Sequence, residues 1–251
     1  IDHSLSPKLH NYWIKKNKID AIYEKKLLIE NDLEKIISKL KLGEIDGINV
    51  TVPFKKSVIP YIDELSIESE KTQSVNTIYC KNNKIIGHNT DIAGFELGLR
   101  YVKYNVLKKK VLILGAGGVV PSIIFALKKM GASHIVLSNR TKSKAENIKK
   151  IFPEIEIIDW GITSEFHMII NATSIGLKSD DEIKINYNDF GKNKFFYDVI
   201  YNPKCTNFLK KAKELGNEIE NGKMMFIYQA HQAFAIWHKI FPEIDVEAIK
   251  L

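Results

Sequence analysis

Residues 111–118 read V-L-I-L-G-A-G-G, and this stretch limits the fold more than any other in the chain. Four consecutive apolar residues without alternation predict a strand that is covered on both faces. The glycines that follow, Gly115, Gly117 and Gly118, let the backbone turn tightly and bring its N–H groups close to a phosphate. A helix is predicted to begin near Val119, where its N-terminus offers an anion site. The stretch therefore predicts the strand, turn and helix of a dinucleotide-binding unit.

Two alternatives to this interpretation exist. The last position of the pattern G-x-G-x-x-G is Val120 rather than Gly or Ala, so a strand-turn-helix unit without a ligand stays open. A membrane span is the other alternative, because residues 111–127 carry no charge. Those seventeen residues are at the short limit for a span, and three glycines and Pro121 interrupt them. We therefore expect no association with a membrane.

The composition is that of an ordinary globular protein. With 251 residues and a hydrophobic fraction of 45%, the chain suits one large or two modest domains. The net charge of +7 raises the question of a nucleic-acid partner, but only Arg100 and Arg140 among the 37 basic residues are arginines. Recognition of nucleic acid favours clustered arginine, so we expect no such partner.

The two cysteines and the first residue lead to three further expectations. Cys80 and Cys205 have neither metal-ligand spacing nor a disulfide framework, so we expect no metal site. Free cysteines fit a reducing compartment, and a cytoplasmic location is expected. Because the sequence begins with Ile1 and not with Met, an initial strand is expected to precede it.

The opening segment, residues 1–10, reads I-D-H-S-L-S-P-K-L-H. Ser4 and Ser6 are two apart, so in an extended segment both hydroxyls would project from one face and suit a ligand carboxylate. The other interpretation is a helix N-cap formed by Ser6, with Pro7 at the first helical position. The spacing alone favours the cap, although both interpretations can hold together.

Three further stretches carry a clear local pattern. A helix is predicted over residues 26–42, ending at Gly43, and a buried helix over residues 224–237. Residues 48–52 alternate as a strand, which places Asn49 and Thr51 on one face, and Pro53 ends it. The lysine that follows, Lys55, taken without its context is most simply a solvated side chain.

Two short polar motifs, V-N-T at residues 75–77 and H-N-T-D at residues 88–91, flank a hairpin predicted at Asn82-Asn83. The last residue of the second motif is Asp91. Considered alone, this carboxylate would serve as a cap for the helix predicted over residues 92–101.

Eight motifs together indicate a family. In chain order they are HSLSP at 3–7, NVTVPFK at 49–55, VNT at 75–77, HNTD at 88–91, GAGG at 115–118, SNRT at 138–141, INATSIG at 170–176 and YNP at 201–203. By these motifs the chain resembles the shikimate dehydrogenases over nearly its whole length. The resemblance implies an enzyme that reversibly reduces 3-dehydroshikimate to shikimate with NADPH, in the pathway to chorismate and the aromatic amino acids.

The resemblance also implies an α/β fold of two domains. An N-terminal α/β substrate-binding domain is expected over residues 1–91 and 222–251, and a Rossmann-type, doubly wound parallel-sheet NADP-binding domain over residues 92–221. The C-terminal helices are expected to return to the first domain. The expected partners are the small-molecule substrates, and the expected assembly is a monomer or a homodimer.

Matched motif by motif, the resemblance implies that Lys55 and Asp91 are the catalytic acid-base pair. The chemistry agrees, because reduction of a ketone places negative charge on its oxygen and a neighbouring ammonium can stabilise that charge and supply a proton. The substrate contacts implied in the same way are Ser4, Ser6, Asn49, Thr51, Asn76, Tyr201 and Gln229.

The segment after the second strand of the cofactor domain favours NADP over NAD. An NAD site needs an acidic residue here, but none lies between Gly131 and Ala145, and Arg140, Lys142 and Lys144 suit a 2′-phosphate. Further strands are predicted at 155–158, 168–171 and 195–200, and cofactors bind at the carboxyl ends of such strands. The expected cofactor contacts are Gly115, Ala116, Gly117, Gly118, Asn139, Arg140, Thr141, Lys144, Ala172, Thr173, Ser174, Gly222 and Met225.

Three alternative functions agree less well with the sequence than an NADP-dependent shikimate dehydrogenase activity does. A quinate dehydrogenase that uses NAD would share the substrate motifs, but the basic segment at residues 139–144 is unfavourable for it. A catalytically silent regulator would keep the glycine turn and lose Lys55 or Asp91, yet both are present. An RNA-binding module is suggested by net charge alone and lacks aromatic and arginine-rich surfaces.

Overall fold

The computed structural model describes residues 4–251, which form two compact units. Unit 1 comprises the described residues up to Phe95 together with Phe226–Leu251, and unit 2 comprises Glu96–Met225. The domain boundaries expected from the sequence lie after residues 91 and 221, whereas the division between the units lies after residues 95 and 225. Each crossing point falls within a helix, so the sequence offers no loop signal to mark it.

Unit 1 contains a four-stranded sheet in the order β1-β3-β4-β2, in which β2 and β4 are parallel and the other pairs antiparallel. Its elements up to the first crossing are α1 (Ser6–Lys16), α2 (Leu33–Lys41), β1 (Gly47–Asn49), β2 (Glu64–Leu65), α3 (Ile67–Thr72), β3 (Thr77–Lys81), β4 (Lys84–His88) and the start of α4 (Asp91–Tyr101). The predicted hairpin is present, because Asn82 and Asn83 have φ of 52° and 60° and join two directly paired strands.

The core of unit 1 lies where α2 packs against the sheet. Ile36, Ile37 and Leu40 project from one face of the helix at helical spacing and are buried with Ile78 and Ile85 of the hairpin. This packing places the ends of β1, β3 and β4, and the polar residues beside them, on a rigid support.

Unit 2 is a six-stranded parallel sheet in the order β10-β9-β8-β5-β6-β7. Its elements are β5 (Lys110–Leu114), α5 (Val120–Lys129), β6 (His134–Ser138), α6 (Lys142–Ile151), β7 (Glu156–Ile158), β8 (Met168–Asn171), β9 (Phe195–Asp198), α7 (Asn207–Glu214) and β10 (Glu218–Asn221). The chain starts in the middle of the sheet, extends to one edge and then builds the other half. This is the doubly wound topology, which confirms the predicted fold class.

The central strands of unit 2 are buried except at Lys110, the first residue of β5, as their apolar sequence predicts. Residues 111–114 of β5 are at most 1% exposed, and every residue of β8 is buried. Two helices then follow unit 2 in the chain: α8 (Lys223–His238), which carries the chain into unit 1 after Met225, and α9 (Val246–Lys250). The buried helix predicted at residues 224–237 corresponds to α8.

Three local predictions need correction, and one strand was missed. The helix predicted over residues 26–42 begins only at Leu33, after a single 3₁₀ turn. Before it, Leu28 packs against the core while Leu27 and Ile29 are exposed, so these residues do not form the apolar stripe of a buried helix face. The strand predicted over residues 48–52 ends at Asn49, and Val52 is 64% exposed in the turns that follow. The strand predicted over residues 195–200 ends at Asp198, and β10 was not predicted.

Candidate active site

Lys55 and Asp91 form an ion pair within unit 1. The distance between Lys55 Nζ and Asp91 Oδ2 is 2.5 Å, and the two side chains are only 12% and 8% exposed. Lys55 lies in the turns after β1, where its carbonyl accepts a hydrogen bond from the N–H of Val75. Asp91 is the first residue of α4. Both carboxylate oxygens are directed to side chains outside the helix, so Asp91 is held for the pair and does not cap α4.

Asn76 holds the second oxygen of the Asp91 carboxylate. Its Nδ2 donates to Asp91 Oδ1 at 3.0 Å and to Thr90 Oγ1 at 2.9 Å, while its Oδ1 accepts from the backbone N–H of Thr90 at 2.8 Å. The buried hydroxyl of Thr77 also donates to Asn76 Oδ1. The V-N-T and H-N-T-D motifs thus form one hydrogen-bonded cluster, since β3 and β4 are paired next to each other.

Asn49 extends this cluster towards α1. Its Nδ2 donates to the carbonyl of Asn76 at 3.0 Å and to Thr77 Oγ1 at 3.1 Å, and its Oδ1 accepts from the hydroxyl of Tyr23 at 2.9 Å. Burial raises the pKa of Tyr23 to about 12, so the hydroxyl keeps its proton at neutral pH. The sequence interpretation missed Tyr23, which lies in an irregular segment outside every family motif.

The two N-terminal serines lie at the start of α1 in an arrangement that differs from both interpretations of the sequence. Ser6 is the first residue of the helix, the residue before it has helical dihedral angles, and the helix has no side-chain cap. The predictions of a Ser6 cap and of an extended S-x-S segment are therefore both wrong. Ser4 Oγ instead accepts the backbone N–H of Ser6 at 3.3 Å. The Ser6 hydroxyl has no hydrogen-bond partner among residues 4–251.

Three other predicted substrate contacts are not part of the Lys55–Asp91 cluster. Thr51 is exposed in the turn before Pro53, and its carbonyl accepts the N–H of Phe54. Gln229 lies on α8, where its Nε2 donates to the carbonyl of Phe226 at 2.9 Å. Tyr201 belongs to unit 2 and is half-buried.

The glycine turn of unit 2 is shaped for close approach of the backbone. Gly115 has φ of +108°, and a Cβ there would lie 2.8 Å from the carbonyl oxygen of Ala172, so only glycine fits. Gly117 and Gly118 are exposed, and Ala116 is half-buried between them and the strand. No side chain caps the N-terminus of α5, which follows directly. An anion can therefore be held by main-chain N–H groups and the helix dipole.

The loop between β6 and α6 and the first turn of α6 carry basic side chains, although the N-terminal end of a helix favours negative charge. Lys142 and Lys144 occupy the first turn of α6, which contains no acidic residue, and Arg140 precedes them with an exposed side chain. Cations are unfavourable at the positive end of a helix dipole, by roughly 0.3–1 kcal/mol each. Asn139 turns the loop by donating to the carbonyl of Thr141 at 2.7 Å. Such a cationic loop is complementary to a bound anion.

Buried polar groups fix the loop at residues 172–174. Asn171 Oδ1 accepts from both the N–H and the hydroxyl of Thr173, and Asn171 Nδ2 donates to Asp198 Oδ1 at 3.1 Å. Asp198 is fully buried and also accepts from Thr206 Oγ1 at 2.6 Å. Burial raises the pKa of Asp198 to about 6, against the effect of these hydrogen bonds. Ala172 is buried and Ser174 exposed, so the loop presents its tip to solvent.

Two of the expected cofactor contacts lie at the start of α8. A Cβ on Gly222 would lie 2.1 Å from the carbonyl oxygen of Val199, so the backbone packs here against the end of β9. Met225 is 6% exposed. Sequence reasoning did not find Asn171 or Asp198, whose side chains join the carboxyl ends of β8 and β9 by a hydrogen bond. An Asp directly after three consecutive aromatic residues was the available signal.

Two properties of the described part of the chain bear on other functions. Among residues 4–251, no three His, Cys, Asp or Glu side chains are grouped so as to hold a metal ion. No helix in the same residues is long and apolar enough to cross a membrane.

Comparison with known proteins agrees with the motifs. Residues 1–78 match the shikimate dehydrogenase substrate binding domain, and residues 96–177 match the shikimate / quinate 5-dehydrogenase family. The shikimate dehydrogenase (NADP(+)) of Pelagibacter ubique is 64% identical over 251 residues, covering 100% of this chain and 95% of the relative.

Solved structures give the same result for the fold. The crystal structure of shikimate dehydrogenase from Aquifex aeolicus aligns with a TM-score of 0.88 at 35% identity, covering 99% of this chain and 92% of that one. Shikimate 5-dehydrogenase from Thermus thermophilus, in complex with NADP(H) and shikimate, aligns with a TM-score of 0.89 at 27% identity, covering 99% and 93%. The motifs, the fold and these similarities show that the chain belongs to the shikimate dehydrogenase family.

Proposed function

We propose that this protein is an NADP-dependent shikimate dehydrogenase, which reversibly reduces 3-dehydroshikimate to shikimate in the pathway to chorismate. The observation that carries the proposal is the shielded Lys55–Asp91 ion pair, held by Asn76 in the substrate-binding part of a family member. The name of the Pelagibacter ubique relative, with 64% identity over the whole chain, supports the same reaction and the same cofactor.

The catalytic role falls to Lys55 and Asp91. As the ketone is reduced, negative charge develops on its oxygen, and the Lys55 ammonium stabilises that charge and delivers a proton to it. Asp91 orients the ammonium, and Asn76 keeps the carboxylate in place through its bond to Oδ1. In the direction of shikimate oxidation the same lysine, once deprotonated, accepts the hydroxyl proton.

The substrate is a polyhydroxylated carboxylate, and neutral donors suit it. Ser4 and Ser6 at the start of α1 bind the carboxylate, while Asn49, Thr51, Asn76, Tyr201 and Gln229 complete the set that contacts the carboxylate or the ring hydroxyls. In this assignment unit 1 is the substrate-binding domain and unit 2 the NADP-binding domain.

The residues of unit 2 fit NADP. Gly115 to Gly118 and the uncapped N-terminus of α5 suit the pyrophosphate, and the cationic start of α6 suits the 2′-phosphate. Reduced NADP supplies the hydride when it is bound. The contacts that hold it are Gly115, Ala116, Gly117, Gly118, Asn139, Arg140, Thr141, Lys144, Ala172, Thr173, Ser174, Gly222 and Met225.

One assay distinguishes this function from its nearest alternative. The purified protein is mixed with shikimate and NADP⁺, and absorbance of the reduced nicotinamide is followed; the assay is repeated with quinate and with NAD⁺. Turnover with shikimate and NADP⁺, at a kcat/KM well above that of the other three combinations, is expected. Preference for quinate with NAD⁺ would instead assign a quinate dehydrogenase.

We expect the protein to act in the cytoplasm as a monomer or a homodimer. Light scattering on the same sample distinguishes these two assemblies from a larger one.

A further inference from the structure

Tyr23 touches the catalytic cluster although it belongs to no family motif. Its hydroxyl donates to Asn49 Oδ1 at 2.9 Å across 26 residues of sequence. The segment around it, residues 20–29, forms neither helix nor strand, so regular secondary structure does not place this tyrosine.

The amide of Asn49 is fully engaged inside the protein. Both of its N–H groups are donated, to the carbonyl of Asn76 and to Thr77 Oγ1, and its oxygen receives the Tyr23 hydroxyl. A side chain whose two donors are already in use has one oxygen lone pair left to offer a substrate. This geometry makes Asn49 a support for its neighbours, in addition to the substrate contact expected from the resemblance.

The hydrogen bonds run in one direction from Tyr23 to the ion pair. Tyr23 donates to Asn49, Asn49 to Thr77 Oγ1, and Thr77 Oγ1 to Asn76 Oδ1 at 3.0 Å. Asn76 then donates to Asp91, whose other oxygen receives Lys55. Each donor polarises the next, and hydrogen bonds in such a chain strengthen one another in a buried environment.

Tyr23 is itself held from three sides. Its N–H donates to Asn11 Oδ1 at 2.8 Å, and its carbonyl accepts from Asn11 Nδ2 at 2.9 Å. Its ring stacks on His10, with ring centroids 4.3 Å apart and planes within 9°. Burial lowers the pKa of His10 to about 3, so the stacking surface is uncharged at neutral pH. A tyrosine in an irregular segment is thereby anchored to α1, which carries both His10 and Asn11.

We infer that Tyr23 is a positioning residue for the catalytic pair: anchored by Asn11 and His10, it fixes Asn49 and, through Thr77 and Asn76, the carboxylate that orients Lys55. The inference rests on the proposed function. Since a displacement of about 1 Å at reacting groups can lower a rate by up to about 10²-fold, loss of the first bond in the chain is expected to affect turnover.

The test is a double-mutant cycle on kcat. Tyr23→Phe keeps the ring and its stacking and removes only the hydroxyl, and it should lower kcat for shikimate oxidation about tenfold while the KM for NADP⁺ stays unchanged. In an Asn49→Ala background the series of hydrogen bonds from Tyr23 to Asp91 is already interrupted, so Tyr23→Phe should change kcat by less than about twofold. The matched control is Tyr79→Phe, which also removes one tyrosine hydroxyl from unit 1. Tyr79 lies on β3 and takes no part in this series of hydrogen bonds, so the variant should keep wild-type kcat.

The outcomes separate this inference from the proposed function. A wild-type protein without shikimate turnover would refute the proposed function itself. An active wild type whose Tyr23→Phe variant keeps full kcat would overturn the positioning role, as would an equal loss with and without Asn49. If Tyr23→Phe lowers the melting temperature and leaves kcat intact well below it, the hydroxyl serves folding only, and the inference is also overturned.

Discussion

At the scale of single residues, the question is whether Lys55 and Asp91 share one task. They are 2.5 Å apart and shielded from water, and each is the other's charged partner. An interaction made mainly in the transition state changes kcat more than binding. Lys55→Met should therefore lower kcat by about 10² to 10⁴, with little change in the KM for shikimate, and Asp91→Asn should act similarly.

Because the pair acts as a unit, the double variant should be only slightly worse than the worse single one. Steady-state kinetics on the three variants measures this directly. Lys56→Met serves as the control, since Lys56 is the adjacent lysine and its side chain is exposed. Losses that simply multiply, or near-normal kcat in Lys55→Met, would remove the pair from the mechanism.

Arg140 tests the choice of cofactor. Arg140→Ala should raise the KM for NADP⁺ about tenfold and leave the KM for NAD⁺ nearly unchanged, because only NADP⁺ carries the 2′-phosphate that this side chain would bind. Arg100→Ala is the matched control, since the other arginine of the chain is engaged with Glu96 in the same unit. An equal rise with both cofactors would mean that Arg140 has a structural role.

The sequence predicts these residues unequally. Lys55, Asp91 and Arg140 could be predicted because each of them lies in a motif or directly after a strand. Tyr23 and Asp198 act through contacts that no local pattern carries: Tyr23 meets Asn49 only after the chain has folded, and Asp198 organises two strand ends from within the sheet. The sequence therefore does not reveal the tertiary hydrogen bonds that hold the residues of the motifs in place.

At the scale of elements, long apolar strands were predicted well and element ends poorly. β5 and β8 are buried on both faces, so their apolar runs mark their limits closely. The helix predicted over residues 26–42 shows the opposite case. Asp32 Oδ2 accepts the N–H of Ile29 at 3.0 Å and helps to start the helix there, whereas Leu27 and Ile29, which the prediction placed inside the helix, are exposed.

The start of α1 gives a prediction of its own. Ser6 lies inside the helix and caps nothing, so Ser6→Ala should leave the melting temperature unchanged or slightly higher. The same variant should raise the KM for shikimate by about 10- to 100-fold, because one hydrogen bond to a charged group is lost, worth roughly 1.5 to 3 kcal/mol. Ser38→Ala on α2 controls for serine removal from an exposed helix position. An unchanged KM in Ser6→Ala would exclude Ser6 from the carboxylate site.

At the scale of the whole molecule, the two units carry buried groups with opposite responses to pH. Burial lowers the pKa of His10 in unit 1 to about 3 and raises the pKa of Asp198 in unit 2 to about 6. Below its unfolded pKa of 6.5, His10 takes up a proton only in the unfolded chain, so acid destabilises unit 1 through this residue. Asp198 binds its proton more readily in the folded state, so acid favours unit 2 through that residue. A single spectroscopic probe that follows the unfolding of both units would report the sum of these opposite changes in stability.

The tryptophans allow the units to be followed separately. Trp13 and Trp237 lie in unit 1 and Trp160 in unit 2, so a Trp160→Phe background reports unfolding of unit 1 by fluorescence. In that background the free energy of unfolding, from urea titrations at pH 7 and pH 5, is compared with and without His10→Phe. Phenylalanine keeps a ring stacked on Tyr23 and cannot be protonated.

From pH 7 to pH 5 the protein with His10 should lose about 2 kcal/mol more stability than the His10→Phe variant, since each pH unit below 6.5 costs up to about 1.4 kcal/mol. The half-buried histidines of unit 1, His88, His231 and His238, are present in both proteins, and their own contributions largely cancel in the comparison. Both ring nitrogens of His10 lack a hydrogen-bond partner among the described residues, so the variant should also be at least as stable at pH 7. Parallel losses in the two proteins would show that His10 is protonated in the folded state, and the neutral surface beneath Tyr23 would then not exist.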